Sequence, residues 1–247
     1  MARQLRVVMA QLNLMVGDIE GNTSLVLKNA ERAISEFAAD LIVFPELTLT
    51  AYPPEDLLLR PSLKLRIDRA IDAILQADLP IHIVLGFPES IDGKLFNALT
   101  VLEGGSRLAT YHKQCLPNYQ VFDERRYFHA GDKPCVLQIA GIRLGFTICE
   151  DMWEQDPFKQ AGDAGADLMI NINASPYHIH KLEQRQALLK QRSIEGGFPI
   201  IYVNLVGGQD ELVFDGASMA MSASGECHYL APNFEADLHL VNVDILN

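Results

Sequence analysis

This chain has little of what would place it at once in a protein class. Its four cysteines, Cys115, Cys135, Cys149 and Cys227, form no CxxC pair and no dense framework. Neither a disulfide scaffold nor a thiolate metal site is indicated, and the thiols are expected to be reduced. Lysine and arginine are scarce, 20 against 32 acidic residues, for a formal charge of -12. Without a basic cluster, nucleic acid and anionic membranes are poor partners. No apolar run reaches the roughly 18 residues that suggest a membrane span. Gln11 and Asn13 interrupt the stretch from Met1 to Val16, where a signal peptide would carry its apolar segment. A cytoplasmic protein is the expectation. The phosphate loop GxxxxGK(S/T), the dinucleotide fingerprint GxGxxG and the nucleophile elbow GxSxG are all missing.

What is present is bulk and alternation. With 247 residues, 49% of them hydrophobic, the chain is long enough to bury a large core, and one domain over 1–247 is expected. Leu5 to Met9 reads as a strand, and Asn22 is a plausible cap for a helix with Val26, Ala30, Ala33 and Phe37 at helical spacing. Leu41 to Phe44 is a short, wholly apolar strand, the pattern of burial on both faces. A proline-rich loop leads to a helix over Leu63 to Leu75 and a strand over Ile81 to Gly86. Two glycine-centred hairpins follow, at Gly104-Gly105 and at Ala140-Gly141. Then come a strand ending at Ile148, a helix near Pro157 to Ala164, a strand over Leu168 to Ile172, a helix from Lys181 to Glu195 and a strand over Ile200 to Val206. Two rounds of strand, helix and strand with inserted hairpins predict α/β layering on a mixed sheet.

Three strand exits carry reactive side chains: Glu46, Lys113 and Cys149. Each has an ordinary reading alone. A cysteine there is more often a small buried hydrophobe, and the two charges more often sit in solvent. Sites in layered α/β sheets form at strand ends, however, so the three are expected to converge. Together they divide the work of acyl transfer: the carboxylate takes the thiol proton and the ammonium meets an oxyanion. The pair His178 and His180 has no third residue at metal-site spacing, and no metal is expected.

These residues carry a resemblance. Phe44-Pro45-Glu46-Leu47-Thr48-Leu49-Thr50-Ala51-Tyr52, then Tyr111-His112-Lys113 with Leu116-Pro117-Asn118-Tyr119, then Cys149-Glu150-Asp151-Met152-Trp153 look like the Glu, Lys and Cys motifs of the nitrilase superfamily of carbon-nitrogen hydrolases. More narrowly, Tyr52-Pro53-Pro54-Glu55-Asp56-Leu57, the run from Asn118 to Phe128 and the Cys-Glu-Asp-Met-Trp run resemble the glutaminase domain of glutamine-dependent NAD+ synthetases, a similarity spanning Leu5 to Val243. The resemblance implies a four-layer α-β-β-α sandwich and L-glutamine as substrate. It implies Cys149 as nucleophile, Glu46 as proton acceptor and Lys113 with the Glu150 N–H as oxyanion donors. Glu124 resembles an additional active-site glutamate, Tyr52 and Tyr119 the aromatic pocket residues, and Ser175 and Lys181 the pair that recognises the α-amino and α-carboxylate groups. It also implies a homo-oligomer and a C-terminal synthetase domain that uses ATP and Mg2+. No SGGxDS loop for such a domain occurs in this sequence, so the chain is expected to be part of a longer enzyme, with no cofactor of its own. A standalone ω-amidase is the alternative.

Overall fold

The computed structural model describes residues 3–245. In its first half, β1 (Arg3–Gln11), α1 (Ile19–Phe37), β2 (Leu41–Val43), α2 (Pro61–Gln76) and β3 (His82–Ile91) form two strand-helix-strand crossovers, followed by the meander β4 (Lys94–Glu103) and β5 (Ser106–His112). The second half opens with the hairpin β6 (Val136–Ile139) and β7 (Ile142–Ile148). It continues through α3 (Gln155–Asp163), β8 (Leu168–Asn173), α4 (Lys181–Gly196) and β9 (Ile200–Asn204). A ribbon of β10 (Val206–Gln209) and β11 (Leu212–Asp215), then β12 (Met219–Met221), β13 (Cys227–Leu230) and β14 (Asp237–Ile245), complete it.

The strands assemble as two six-stranded sheets, ordered β14-β1-β2-β3-β4-β5 and β13-β12-β9-β8-β7-β6. Each holds a parallel trio, β1-β2-β3 or β7-β8-β9, flanked by antiparallel strands. This repeats the two rounds of alternation in the sequence. Strand β14 returns from the far end of the chain to pair with β1 from Gln11↔Asp237 to Arg3↔Ile245.

Side-chain alternation on the strands explains the layers. Leu5, Val7 and Met9 of β1 meet Leu144, Phe146 and Ile148 of β7 in a core between the two sheets. Their neighbours Val8 and Ala10 face the other way, against Val26 and Ala30 of α1 and Ile67 and Ile71 of α2. On the second sheet, Met169, Ile200 and Met219 pack with Phe158 of α3 and Leu189 of α4. The result is the α/β layering that the sequence pattern predicted, in the α-β-β-α form that the family resemblance implied. Burying each large apolar side chain is worth about 1.5–3 kcal/mol, enough in sum to offset the few charged groups buried at the strand ends.

The structure corrects some boundaries. Asn22 is not the cap of α1; Asp18 is, its Oδ1 accepting from the Gly21 N–H at 3.0 Å. Asn22 lies inside the helix and is buried, with Nδ2 donating to the carbonyls of Met15 at 2.8 Å and Leu49 at 3.2 Å. Those loop carbonyls compete successfully for the amide. Strand β3 runs beyond Gly86 through Pro88 to Ile91, because past Val84 its other edge no longer pairs with β2 and the missing proline N–H breaks no bond there.

Gly86 seats the loop after β2. A Cβ at this position would stand 2.5 Å from the Leu47 nitrogen and 2.6 Å from the Pro45 carbonyl oxygen, both backbone atoms of the segment that presents Glu46. Gly86→Ala is therefore expected to destabilise the protein by about 1–3 kcal/mol and to depress any activity that depends on Glu46 by displacing it. Urea denaturation together with turnover checks both, and unchanged values for the two would contradict this packing.

Candidate active site

Three strand exits converge, as the apolar strands require. Glu46 follows β2 within a segment that is buried from Leu41 to Tyr52. Its Oε1 accepts from Lys113 Nζ at 2.8 Å and from Asn97 Nδ2 at 2.8 Å, and its Oε2 accepts from the Ala174 N–H at 2.9 Å. Lys113 leaves the end of β5 and is also buried, its Nζ donating to Glu124 Oε1 at 2.8 Å. Glu124 opens a single 3-10 turn, Glu124–Arg126, and the Tyr52 hydroxyl donates to the same Oε1 at 3.0 Å.

Cys149 begins a 3-10 turn, Cys149–Met152, directly after β7, with a left-handed φ of 45°. Left-handed backbone is costly for a side-chain-bearing residue and persists only where the surroundings enforce it. Asp151 supplies that enforcement. Its Oδ2 accepts from the Ile148 N–H at 3.0 Å and the Tyr111 hydroxyl at 2.8 Å; its Oδ1 accepts from the N–H groups of Gln114 at 3.0 Å and Cys115 at 2.7 Å. One fully buried carboxylate thus ties the cysteine turn to the residues just after Lys113. Burial raises Asp151 to about 6, against the opposing pull of those amides.

The charges constrain the chemistry. Burial and the Glu46 carboxylate push the Cys149 thiol well above its usual range, and Lys113 only partly offsets them. At rest Cys149 is a neutral thiol, which would need a base in order to act as a nucleophile. Burial would lower the Lys113 ammonium, but the carboxylates of Glu124 and Glu46 hold it well above the ordinary lysine value. Glu124 is raised to about 7, by burial first and by Glu46 as well, with Lys113 and Tyr52 opposing.

The substrate-binding candidates lie around this centre. The Tyr119 hydroxyl donates to Glu150 at 3.0 Å, and both residues line an open cleft of about 760 Å³ with Cys115 and Pro117. Burial raises the Glu150 carboxyl despite Tyr119 and Lys113. Ser175 is buried, with its N–H donating to Asn204 Oδ1 at 2.9 Å. Lys181 stands over Trp153, Nζ 4.1 Å from the ring centroid, and is lowered by burial and by Arg185. Among the described residues no hydrogen bond joins Lys181 to Ser175. Glu46, Lys113, Glu124 and Tyr52 thus form one bonded network, Tyr119 and Glu150 a second pair at the cleft, and Ser175 and Lys181 two separate positions. Sequence reasoning gave no role to Asn97, Asp151, Arg185 or Asp215. Arg185 carried a usable signal, since it follows Lys181 by one helical turn. Asp151 carried a partial one, since it accepts from the Ile148 N–H three residues back, whereas the partners of Asn97 and Asp215 are distant in sequence.

The profile of the family described as carbon-nitrogen hydrolase matches residues 6–245. The chain belongs to the carbon-nitrogen hydrolase family. Among similar proteins, a glutamine-dependent NAD(+) synthetase of Xanthomonas campestris pv. campestris (strain 8004) is 45% identical over 236 residues, which are 94% of this chain and 43% of that protein. One from Aquifex aeolicus (strain VF5) is 42% identical over 98% of this chain and 42% of its own length. The solved glutamine-dependent NAD+ synthetase of Acinetobacter baumannii superposes with a TM-score of 0.94 at 38% identity, over 97% of this chain and 45% of that one. A nitrilase-superfamily amidase of Nesterenkonia sp. AN1, solved with the acetamide moiety of fluoroacetamide added to its active-site cysteine, gives a TM-score of 0.87 at 26% identity, over 98% and 90% of the two chains. This carbon-nitrogen hydrolase chain spans less than half the length of the curated relatives cited above.

Glu124 generates a prediction. Its Oε2 is buried without a hydrogen-bond partner among the described residues, which is where a proton, or the amide of Gln, fits. Because the folded value of about 7 lies above the ordinary 4.5, the stabilisation from that proton is complete below pH 4.5 and is lost as pH rises through 7. Wild-type stability relative to Glu124→Gln should therefore fall by on the order of 3 kcal/mol between about pH 4.5 and pH 8. Urea midpoints across that range measure it, and a pH-independent difference would contradict the assignment.

Proposed function

We propose that this site hydrolyses the side-chain amide of L-glutamine to glutamate and ammonia through a thioester on Cys149. The observation that carries the reading is the buried contact of 2.8 Å between Glu46 and Lys113, beside a strand-exit thiol that responds to both charges. Glutamine as the substrate is suggested by the similarity to glutamine-dependent NAD(+) synthetases.

The chemistry follows from the donors available. Cys149 Sγ attacks the amide carbon as Glu46 takes the thiol proton. Lys113 has three N–H donors and directs two to Glu46 and Glu124, which leaves one for the oxyanion. The Glu150 N–H, in the first turn after β7, has no helical acceptor of its own and gives the second. Glu46 returns its proton to the nitrogen, the C–N bond breaks, and ammonia leaves a glutamyl thioester. Water then adds to the thioester carbonyl as Glu46 takes one of its protons. The C–S bond breaks, glutamate leaves, and the proton goes back to Cys149. Glu124 holds Lys113 in place, Tyr52 and Tyr119 form the aromatic side of the pocket, and Ser175 and Lys181 bind the α-substituents.

The ammonia is destined for a synthetase portion that amidates nicotinic acid adenine dinucleotide to NAD+. ATP and Mg2+ belong to that portion, and residues 1–247 constitute one glutaminase domain without a cofactor. The longer enzyme is a cytoplasmic homo-oligomer in this reading. Among the described residues no helix is long and apolar enough to cross a membrane. A second reading, a standalone ω-amidase or other hydrolase of small amides, is favoured by the likeness to the Nesterenkonia amidase, which superposes with a TM-score of 0.87.

Steady-state kinetics separates the two. L-glutamine is expected to be preferred over α-keto-acid amides and N-carbamoyl compounds, and the opposite preference would select the second reading. Glu46→Gln and Lys113→Ala should each lower kcat by about 10²–10⁴ with the circular dichroism unchanged. Rates near wild type in either would contradict the triad.

A further inference from the structure

Ser175 is held by a buried side chain of α4. Arg185 on α4 is 1% exposed, and three of its nitrogens are committed. Nη1 donates to both oxygens of Asp215, at 2.7 and 2.9 Å; Nη2 donates to the carbonyls of Ser175 at 2.7 Å and Pro176 at 3.1 Å; Nε donates to Ser175 Oγ at 3.2 Å. Asn204 holds the same residue from the other sheet edge of the loop, accepting from the Ser175 N–H at 2.9 Å and donating to its carbonyl at 3.3 Å. The serine is thereby fixed in place, and its hydroxyl oxygen already accepts a proton.

A serine hydroxyl has one hydrogen to give. Since Arg185 occupies an acceptor position on Oγ, the hydrogen turns away from the guanidinium. The Tyr202 hydroxyl is buried without a hydrogen bond of ordinary geometry, yet Ser175 stands close enough to oppose the upward push of burial on that phenol, so Tyr202 is the one weak competitor among the described residues for the Ser175 hydrogen. The serine also lies close to the reacting centre: the preceding residue, Ala174, gives its N–H to Glu46. Asp215 neutralises Arg185, and the net positive charge at this end of the site belongs to Lys181, one helical turn away. A hydroxyl donor beside an ammonium fits an anion.

We infer that Arg185 is a positioning residue that holds the Ser175 hydroxyl as a hydrogen-bond donor, so that the Ser175 and Lys181 end of the site selects amides carrying a carboxylate. The inference rests on the glutaminase reading above and adds to it a residue outside the substrate contacts. Asp215, at the end of β11, is the counter-charge that keeps the guanidinium oriented, and it couples the β10-β11 ribbon to substrate selection.

Three amides test it: L-glutamine, glutaramate, which keeps the carboxylate but lacks the amino group, and 4-aminobutanamide, which keeps the amino group but lacks the carboxylate. Arg185→Lys retains the charge beside Asp215 but cannot reproduce the fork of bonds to Ser175. The expected result is a KM increase of about tenfold or more for the two carboxylate-bearing amides, with kcat nearly kept and 4-aminobutanamide unaffected. A second variant, Arg185→Met with Asp215→Leu, removes both buried charges together and leaves neither unpaired; the same split is expected. Equal losses on all three amides, or no loss on any, would overturn the positioning role. Wild-type enzyme that hydrolyses 4-aminobutanamide as well as glutamine would overturn the glutamine reading itself, and the inference with it.

Discussion

The structure depends on one buried ammonium. Lys113 stands between Glu46 and Glu124, 2.8 Å from an oxygen of each, with no exposure that would let water replace either partner. Two carboxylates around one cation leave an excess negative charge in a desolvated space, and such clusters often cost more than they return. Its persistence indicates function more than stability. The excess charge is accommodated by the Tyr52 hydroxyl, the Asn97 amide and the Ala174 N–H, each of which donates to a carboxylate, and it raises Glu124 toward the neutral form.

The sandwich makes this arrangement affordable. The core between the sheets, built from alternate residues of β1, β2, β7 and β8, fixes the strand ends that deliver Glu46 and Cys149. Close packing converts that core into positional accuracy, because rigid strands carry their exits with them. Where strands end, single polar residues take over. Asp151 binds the nucleophile turn to the segment after Lys113, and Arg185 binds the Ser175 loop to the ribbon. Both are buried charges with four or more hydrogen-bond contacts, and both act through other residues.

Much of this was legible in the sequence. The apolar strands from Leu41 and from Ile142, with Glu46 and Cys149 just beyond them, announced both the layers and the converging exits, since period-two and all-apolar patterns are dictated by burial. The hairpin glycines were equally readable, Gly104 and Gly105 both adopting positive φ. The start of α1 was not, because Asn22 is a good cap by residue type and only its contact with Leu49, distant in sequence, shows that it serves a loop. The same limit hid Asp151 and Asp215. Apart from the Ile148 N–H that Asp151 takes three residues back, their roles are set by partners on other elements, which no local spacing encodes, whereas Glu46, Lys113 and Cys149 stood out by their position at strand ends and by family resemblance.

The central claim is that Cys149, activated within this charge cluster, becomes acylated by the substrate. A diazoketone analogue of L-glutamine, whose protonated diazo carbon is attacked by the thiol sulfur to form a thioether as N2 leaves, followed by peptide mass spectrometry, tests it most directly. The account predicts a single adduct on the Cys149 peptide, with Cys115, Cys135 and Cys227 unlabelled and protection by L-glutamine. Unmodified Cys149 in enzyme that still consumes glutamine would contradict it.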